Sequence, residues 1–526
     1  MLYLKPTVKA EPLVFSWYAW SYLIPPATAA CNIVDRHLTI MESFAQEPNL
    51  HIDASQDPRL LGGPFINLGL DYVEKIKDLI HITKESCKDL IELARSLKDF
   101  DRLLQSLAEG NSLELLYNKI PNNIRGLIEL VYDLNNNSSI RLIEGLLYQK
   151  YCISQYQSIL LSEVNHKPRA FLLSTPRFEE ITTLPIKIGF ADERITELFA
   201  MRTFPKSKEY INSLFEIPDD KKELFYSFFT ENHPDLKEDR NYSRSGVRIR
   251  YFGHACVLIQ TDSISILFDP IVSYESESSL DRFTYNDIPD LIDYVVITHN
   301  HQDHVLFETL IQLRYKIKTI VLPTNQKGAL ADPSLKLILK SIGFKSLISL
   351  DEFEELNLPY GQIIGIPFLG EHSDLNIQTK LAYYINLKGR KLLFLADSSN
   401  IDDRLYEYIY KHIGTVDIIF LGMECDGAPL SWLYGPMLSN PLKRSFDNSR
   451  TLSGSNFDKA WPIVKRFNCK QAYVYAMGQE PWLSHIMALD YTPESIQMID
   501  SNRFIQKCQE NGIYAEKLYA KKEWLV

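Results

Sequence analysis

The sequence predicts an α/β sandwich over residues 246–526, preceded by a large helix-rich α+β domain over residues 1–245. Three observations carry that prediction. Helical apolar spacing dominates the first part, short β-branched runs separated by helical segments dominate the second, and a cluster of metal-donor side chains closes one of those runs.

Within residues 67–107 the segment LGLDYVEKIKDLIHITKESCKDLIELARSL repeats its apolar residues at helical spacing with charges between them, the pattern of one or two amphipathic helices. A second helical pattern covers residues 140–161, after the loop Asn135-Asn136-Asn137-Ser138-Ser139, and a third surrounds residues 221–229. The texture changes after the polar stretch 238–244, where VRIRYFGHACVLIQTDSISILFDP alternates like consecutive strands joined at Thr261-Asp262. That change places the domain boundary near residue 245. Further strands are expected at 293–298, 318–323, 362–368, 381–387, 390–397, 417–423 and 471–477. Strands separated by helices favour the sandwich, and their close succession also allows antiparallel pairing.

The chain has 526 residues, 45% of them apolar, enough for one large core or several. A net charge of -11 argues against nucleic acid as the partner, because phosphate binding needs clustered cations. Seven scattered cysteines without a CxxC pair imply neither a disulfide framework nor a zinc knuckle and suit a reduced cytoplasm. The apolar stretch 13–30 is broken by Pro25-Pro26, so neither a membrane span nor an export signal is expected.

The chemistry concentrates after the strand DYVVIT, in His299-Asn300-His301-Gln302-Asp303-His304. Three imidazoles and a carboxylate within six residues at a strand end suggest two adjacent metals, with His299 and His301 serving one and Asp303 and His304 the other. Further ligands are expected at other strand ends. The candidates there are Glu371-His372, Asp397, whose two oxygens suit a bridge, and His485.

With Gly253-His254-Ala255 and Asp269-Pro270, these motifs resemble the metallo-β-lactamase superfamily across residues 247–485. The resemblance implies an αββα sandwich with metals at its edge. It leaves the reaction open, since the fold hosts many chemistries. Most such proteins are dizinc hydrolases, acting on phosphodiester, lactone or acyl bonds, in which two cations lower the pKa of a bridging water. Here the third motif, Gly370-Glu371-His372-Ser373-Asp374-Leu375, offers a glutamate beside a histidine, and on an extended segment only one of the two faces the metals. If Glu371 is the ligand, the site carries four imidazoles and three carboxylates, a hard, anionic set that suits iron and gives redox-inert zinc no advantage.

The long N-terminal domain with its SWYAWSYLIPPATAACNIVDRHL segment, the Gly-Glu-His-Ser-Asp-Leu motif and Asp397 resemble the diiron aminoacyl β-hydroxylases of chloramphenicol biosynthesis and their relatives. That resemblance implies one iron at His299, His301 and Glu371, the other at Asp303 and His304, and Asp397 shared. His485 stands where the superfamily's last metal histidine lies. It further implies an oxygen- and carboxylate-bridged iron pair, O2 as co-substrate and an external reductase as electron donor. The substrate would be an amino acid held as a thioester on a nonribosomal peptide synthetase carrier domain and hydroxylated at its β-carbon. The N-terminal domain would be a dimerisation and substrate-access module, making the protein a homodimer. Glu424, at the end of DIIFLGM, is expected beside the cluster, orienting a ligand or receiving a proton.

The competing readings are the dizinc hydrolase and a non-catalytic module that binds a carrier protein or another partner. His254 reads as a buried hydrogen-bonding histidine, and His37, His51, His81, His166, His233 and His412 carry no ligand partners at suitable spacing. The aromatics Phe15, Trp17, Tyr18, Trp20 and Tyr22 read either as a substrate tunnel or as core and dimer contacts. No nucleotide-cradling glycine loop appears, so no bound flavin or nicotinamide is expected.

Overall fold

The N-terminal strand Val8–Val14 runs antiparallel to Gln157–Glu163 along its whole length and, with Trp17–Tyr18 and Leu184–Lys187, makes a four-stranded sheet. The computed structural model describes residues 1–164 and 168–526, so His166 lies outside the described residues. The helices expected within 67–107 are Val73–Ser86 and Lys88–Leu107. The second buries Leu90, Leu93, Leu97, Phe100 and Leu104, one stripe at helical spacing. The helix expected over 140–161 is not one element. Strand Ser138–Leu142, helix Glu144–Lys150 and strand Gln157–Glu163 share that stretch, because pairing with Val8–Val14 captures its C-terminal half. Helix Lys222–Ser227 forms where the third pattern predicted it.

Residues Pro26–Asn32, Ile33–Leu38 and Thr39–Gln46 form one continuous helical run whose middle turn is π-helical. Pro26 opens it, where a missing N–H costs nothing.

From residue 248 onward the chain builds two seven-stranded sheets. The first contains Arg248–Gly253, Cys256–Gln260, Ser265–Phe268, Ile292–Val296 and Ile317–Pro323. The second contains Gly361–Ile366, Ala382–Leu387, Arg390–Phe394, Ile418–Gly422 and Gln471–Tyr475. Both are mixed: hairpins give antiparallel pairs, and crossovers give the parallel pairs of Ser265–Phe268 with Ile292–Val296 and of Arg390–Phe394 with Ile418–Gly422. Val257, Ile259, Phe268, Tyr383, Phe394 and Phe420 fill the space between the sheets, and the Phe268 and Phe394 rings stack at 4.1 Å. Helices Asp403–Ile413, Phe457–Phe467 and Ile496–Glu510 cover the outer face of the second sheet. The outer face of the first packs on Phe307–Leu313, Leu335–Ser341 and the N-terminal residues as one apolar cluster. This is the expected αββα sandwich. Because its strands are buried on both faces, they read as continuous apolar runs. Among the described residues no helix is long and apolar enough to cross a membrane.

The parallel strands end on one edge and deliver Asp269, His299, Asp397 and Glu424 there. Non-glycine residues with left-handed backbone border that edge: His254, Asp269, Glu371, Ala396 and Ala476. Each such conformation costs about 1–3 kcal/mol and is typical of functional sites.

Candidate metal centre

Among the described residues, three trios of donors lie close enough to share a metal ion: His299, His301 and Glu371; His299, His304 and Asp397; and His254, Asp303 and His304. All of these side chains are buried or nearly so. Glu371 Oε1 lies 3.0 Å from His301 Nδ1. Asp397 Oδ2 lies 3.0 Å from His304 Nε2 and 3.6 Å from His299 Nε2, so one carboxylate touches both halves of the HxHxDH motif. Asp303 Oδ2 is 3.6 Å from His304 Nε2.

A ligating imidazole needs its other nitrogen held by a partner that fixes ring and tautomer. Each of the three motif histidines has one. His304 Nδ1 is 2.8 Å from Asp269 Oδ2, and Asp269 is itself anchored by the Thr298 N–H (2.8 Å) and hydroxyl (2.7 Å). His299 Nδ1 meets the Thr298 hydroxyl at 3.1 Å. His301 Nε2 meets the Tyr434 hydroxyl at 3.0 Å, which leaves Nδ1 facing Glu371. His254 has the opposite pattern. The Gly478 N–H donates to its Nδ1 at 3.1 Å, so the ring proton sits on Nε2, 3.2 Å from Asp303 Oδ2. A proton-bearing nitrogen offers no lone pair, so His254 orients Asp303.

The third motif departs from expectation. Gly370, Glu371, Ser373 and Asp374 all take left-handed backbone, so the segment is not extended and neighbours do not alternate. Glu371 faces His299 and His301, while His372 packs beside His301 with Nδ1 2.8 Å from Tyr434 Oη and joins none of the donor trios. Gly370 makes the bend possible, since a Cβ there would fall 2.4 Å from Ser399 Cβ. Gly422 gives Asp397 its room, because a Cβ there would lie 2.8 Å from Asp397 Oδ1.

His485 is a correction. The Ser484 hydroxyl donates to Arg169 O, and Leu172 N–H donates to His485 O, so this loop is pinned to the N-terminal domain. Its ring stands edge-on to Tyr18 at 5.8 Å and belongs to no donor trio, so the set carries three imidazoles instead of four. Tyr434 and Thr298 were not singled out from sequence, and Asp269 was read as part of a motif without its role behind His304. Thr298 adjoins the motif and Asp269 closes a strand, whereas Tyr434, in a short helix 130 residues downstream, gave no signal.

The electrostatics suit cations. Burial pushes the Glu371 carboxyl up, partly offset by His301. Burial, then Asp397 and Asp303, pushes Glu424 far up. Burial and neighbouring imidazoles push His299 down, keeping it neutral, the ligating form. Among the described residues, buried His299 Nε2, Glu371 Oε2 and Asp397 Oδ1 make no hydrogen bond, although Glu371 Oε2 lies 3.2 Å from His372 Nδ1. Orphaned lone pairs on the inward side of a buried donor cluster are what a pair of metal ions would satisfy, and the oxygen-rich set fits iron.

Glu371, Asp397 and Glu424 also line a cavity of about 320 Å³, walled by Trp20, Phe171 and Leu173 of the N-terminal part and by Trp432, Leu433 and Met487. Trp20 thus lines the cavity, while Trp17, Tyr18 and Tyr22 are core residues.

Residues 3–234 match the family described as the diiron non-heme β-hydroxylase N-terminal domain, and residues 248–424 match the β-lactamase superfamily domain. The chain is 33% identical to the 4-amino-L-phenylalanyl-[CmlP-peptidyl-carrier-protein] 3-hydroxylase of Streptomyces venezuelae, over 99% of this chain and 98% of that one. It superposes on the crystal structure of CmlA, a diiron β-hydroxylase from Streptomyces venezuelae, with a TM-score of 0.92 and 31% identity, covering 100% of this chain and 99% of that one. A UPF0173 protein of Pyrococcus abyssi is 26% identical over 176 residues, 33% of this chain and 69% of that one.

Proposed function

The chain belongs to the diiron non-heme β-hydroxylase family, and from that premise we propose that it is an O2-dependent monooxygenase hydroxylating the β-carbon of an aminoacyl group tethered to a nonribosomal peptide synthetase carrier domain. The supporting observation is the placement of Glu371, 3.0 Å from His301 Nδ1, with His372 turned to Tyr434. An anionic oxygen ligand at that position favours iron over the zinc of the hydrolase reading.

One iron would be held by His299, His301 and Glu371 and the other by Asp303 and His304, with Asp397 shared between them. When bound, such a pair supplies the one-electron redox chemistry toward dioxygen that zinc lacks. One oxygen atom would enter the C–H bond and the other leave as water, so two electrons come from an external reductase and two protons from solvent.

This chain's residues do the rest. Asp269, Thr298 and Tyr434 fix the imidazoles, and His254 fixes Asp303. Glu424 faces the cavity, and burial, with Asp397 and Asp303 nearby, shifts its carboxyl toward the protonated form, which suits a group that passes a proton to or from that space. The apolar wall of Trp20, Phe171, Trp432 and Leu433 excludes water around a reactive C–H bond. Residues 1–245 would act as the dimerisation and access module, in line with their share of this wall. The seven free cysteines suit the reducing cytoplasm where such an assembly line works.

The test is mass spectrometry of aminoacyl carrier domains incubated with the iron-loaded, reduced protein under isotopically heavy dioxygen. One heavy oxygen retained on the aminoacyl group supports the proposal. Release of the free amino acid without oxygen uptake would establish a hydrolase instead.

A further inference from the structure

One cation in the cavity has no counterpart. Arg36 sits in the π-helical turn Ile33–Leu38, where the widened backbone redirects side chains, a geometry that recurs at functional sites. Its neighbours are engaged elsewhere. Asp35 pairs with Lys98 at 2.7 Å, and the His37 ring stacks on Trp17 at 3.9 Å. The Arg36 side chain lines the same cavity as Glu371 and Asp397, yet among the described residues it makes no hydrogen bond or ion pair, and its Nε is buried without a partner. Burial alone acts on the guanidinium, pushing it down to about 10, and no carboxylate of the donor cluster offsets this. The other arginine of the lining, Arg59, is exposed and bound to Asp57 at 2.6 Å. An unpaired guanidinium in a mainly apolar cavity is unfavourable unless an anion arrives with the ligand.

We propose that Arg36 is the anion-recognition residue of this cavity and that its guanidinium receives an oxyanion carried by the tethered substrate. The inference rests on the carrier-bound reading above. A thioester has already consumed the amino acid's own carboxylate. The oxyanion is therefore the phosphodiester of the phosphopantetheine arm or a carboxylate on the aminoacyl side chain, and both offer the planar pair of oxygens a guanidinium binds.

The experiment compares wild type with Arg36→Met and Arg36→Lys, reading dissociation constants by calorimetry. Four synthetic probes are used: phenylalanyl and aspartyl thioesters of phosphopantetheine and of dephosphorylated pantetheine. A charge-assisted hydrogen bond lost to Arg36→Met weakens the anionic probe at least about tenfold. Arg36→Lys recovers part of that affinity, and the melting temperature does not fall, because no protein group loses a partner. A phosphate preference that vanishes in Arg36→Met identifies the arm as the source, and a vanished preference for aspartyl over phenylalanyl identifies the side chain. Equal binding of every probe by wild type and Arg36→Met overturns the proposal, as does an equal loss for all four. Should wild type bind no thioester at all, the carrier reading fails, and labelling decides the anion site independently. Phenylglyoxal modification of Arg36, mapped by mass spectrometry, is expected to be slowed by millimolar inorganic phosphate, and no protection overturns the site.

Discussion

Glu371 and Tyr434 hold opposite edges of one imidazole: the carboxylate faces His301 Nδ1 and the phenol faces His301 Nε2, each at 3.0 Å. The ring therefore cannot rotate without losing one of them, and the nitrogen it offers to a metal lies on the carboxylate side.

Replacing Glu371 by Ala or His is expected to leave the fold intact and lower iron affinity and oxygen-dependent hydroxylation by more than about 100-fold, beyond the usual effect of losing an outer partner. Glu371→His is further expected to shift the metal retained toward zinc. Metal analysis after dialysis against both ions measures this, and unchanged iron retention would count against the assignment.

Tyr434→Phe removes the hydroxyl behind His301, which His372 also meets, and Asp269→Asn removes the carboxylate charge behind His304. Each is expected to weaken metal binding about 10- to 100-fold, on opposite halves of the centre. Cobalt titration followed optically separates the halves, since each variant should lose one of two binding steps.

His485→Ala is expected to leave metal stoichiometry unchanged, because the ring faces Tyr18 and belongs to no donor trio. Loss of one ion per chain in that variant would restore His485 to the ligand set.

Away from the metals, Glu11 is buried against Lys9, Arg169 and Arg177. Burial alone would raise its carboxyl, but the three cations outweigh it and hold it far below the ordinary 4.5. A carboxyl depressed in the folded state stabilises the fold above the unfolded value and loses that contribution as pH falls toward the folded one. Acid destabilisation of the metal-free protein should therefore begin near pH 4.5 and continue downward. Glu11→Gln should cost about 3–5 kcal/mol at neutral pH, as breaking a buried ion pair does. The same change should flatten the acid limb in urea unfolding.

The sandwich and most of the donor set were legible because their signals are local. A β-branched run ends, and His299, His301, Asp303 and His304 follow within one turn of chain. Asp397 was legible for the same reason, as the first carboxylate after a strand. The choice between Glu371 and His372 was not fixed by alternation, because left-handed backbone at residues 370, 371, 373 and 374 makes the segment turn instead of extend. His485 was misplaced because its position depends on the anchor between Ser484 and Arg169, 315 residues apart in sequence. Tyr434 was invisible for a related reason, since it meets His301 only through tertiary packing. The stretch 140–161 satisfied a helical period, and pairing with Val8–Val14 decided otherwise.

The central claim is that a carboxylate at position 371 makes this a redox centre, and the metal content and optical spectrum of the protein purified in air test it most directly. Two irons per chain, with near-ultraviolet absorption that bleaches on reduction and returns with oxygen, are the predicted result. Two zincs and a featureless spectrum, in a protein that cleaves esters or phosphodiesters without oxygen, would contradict it.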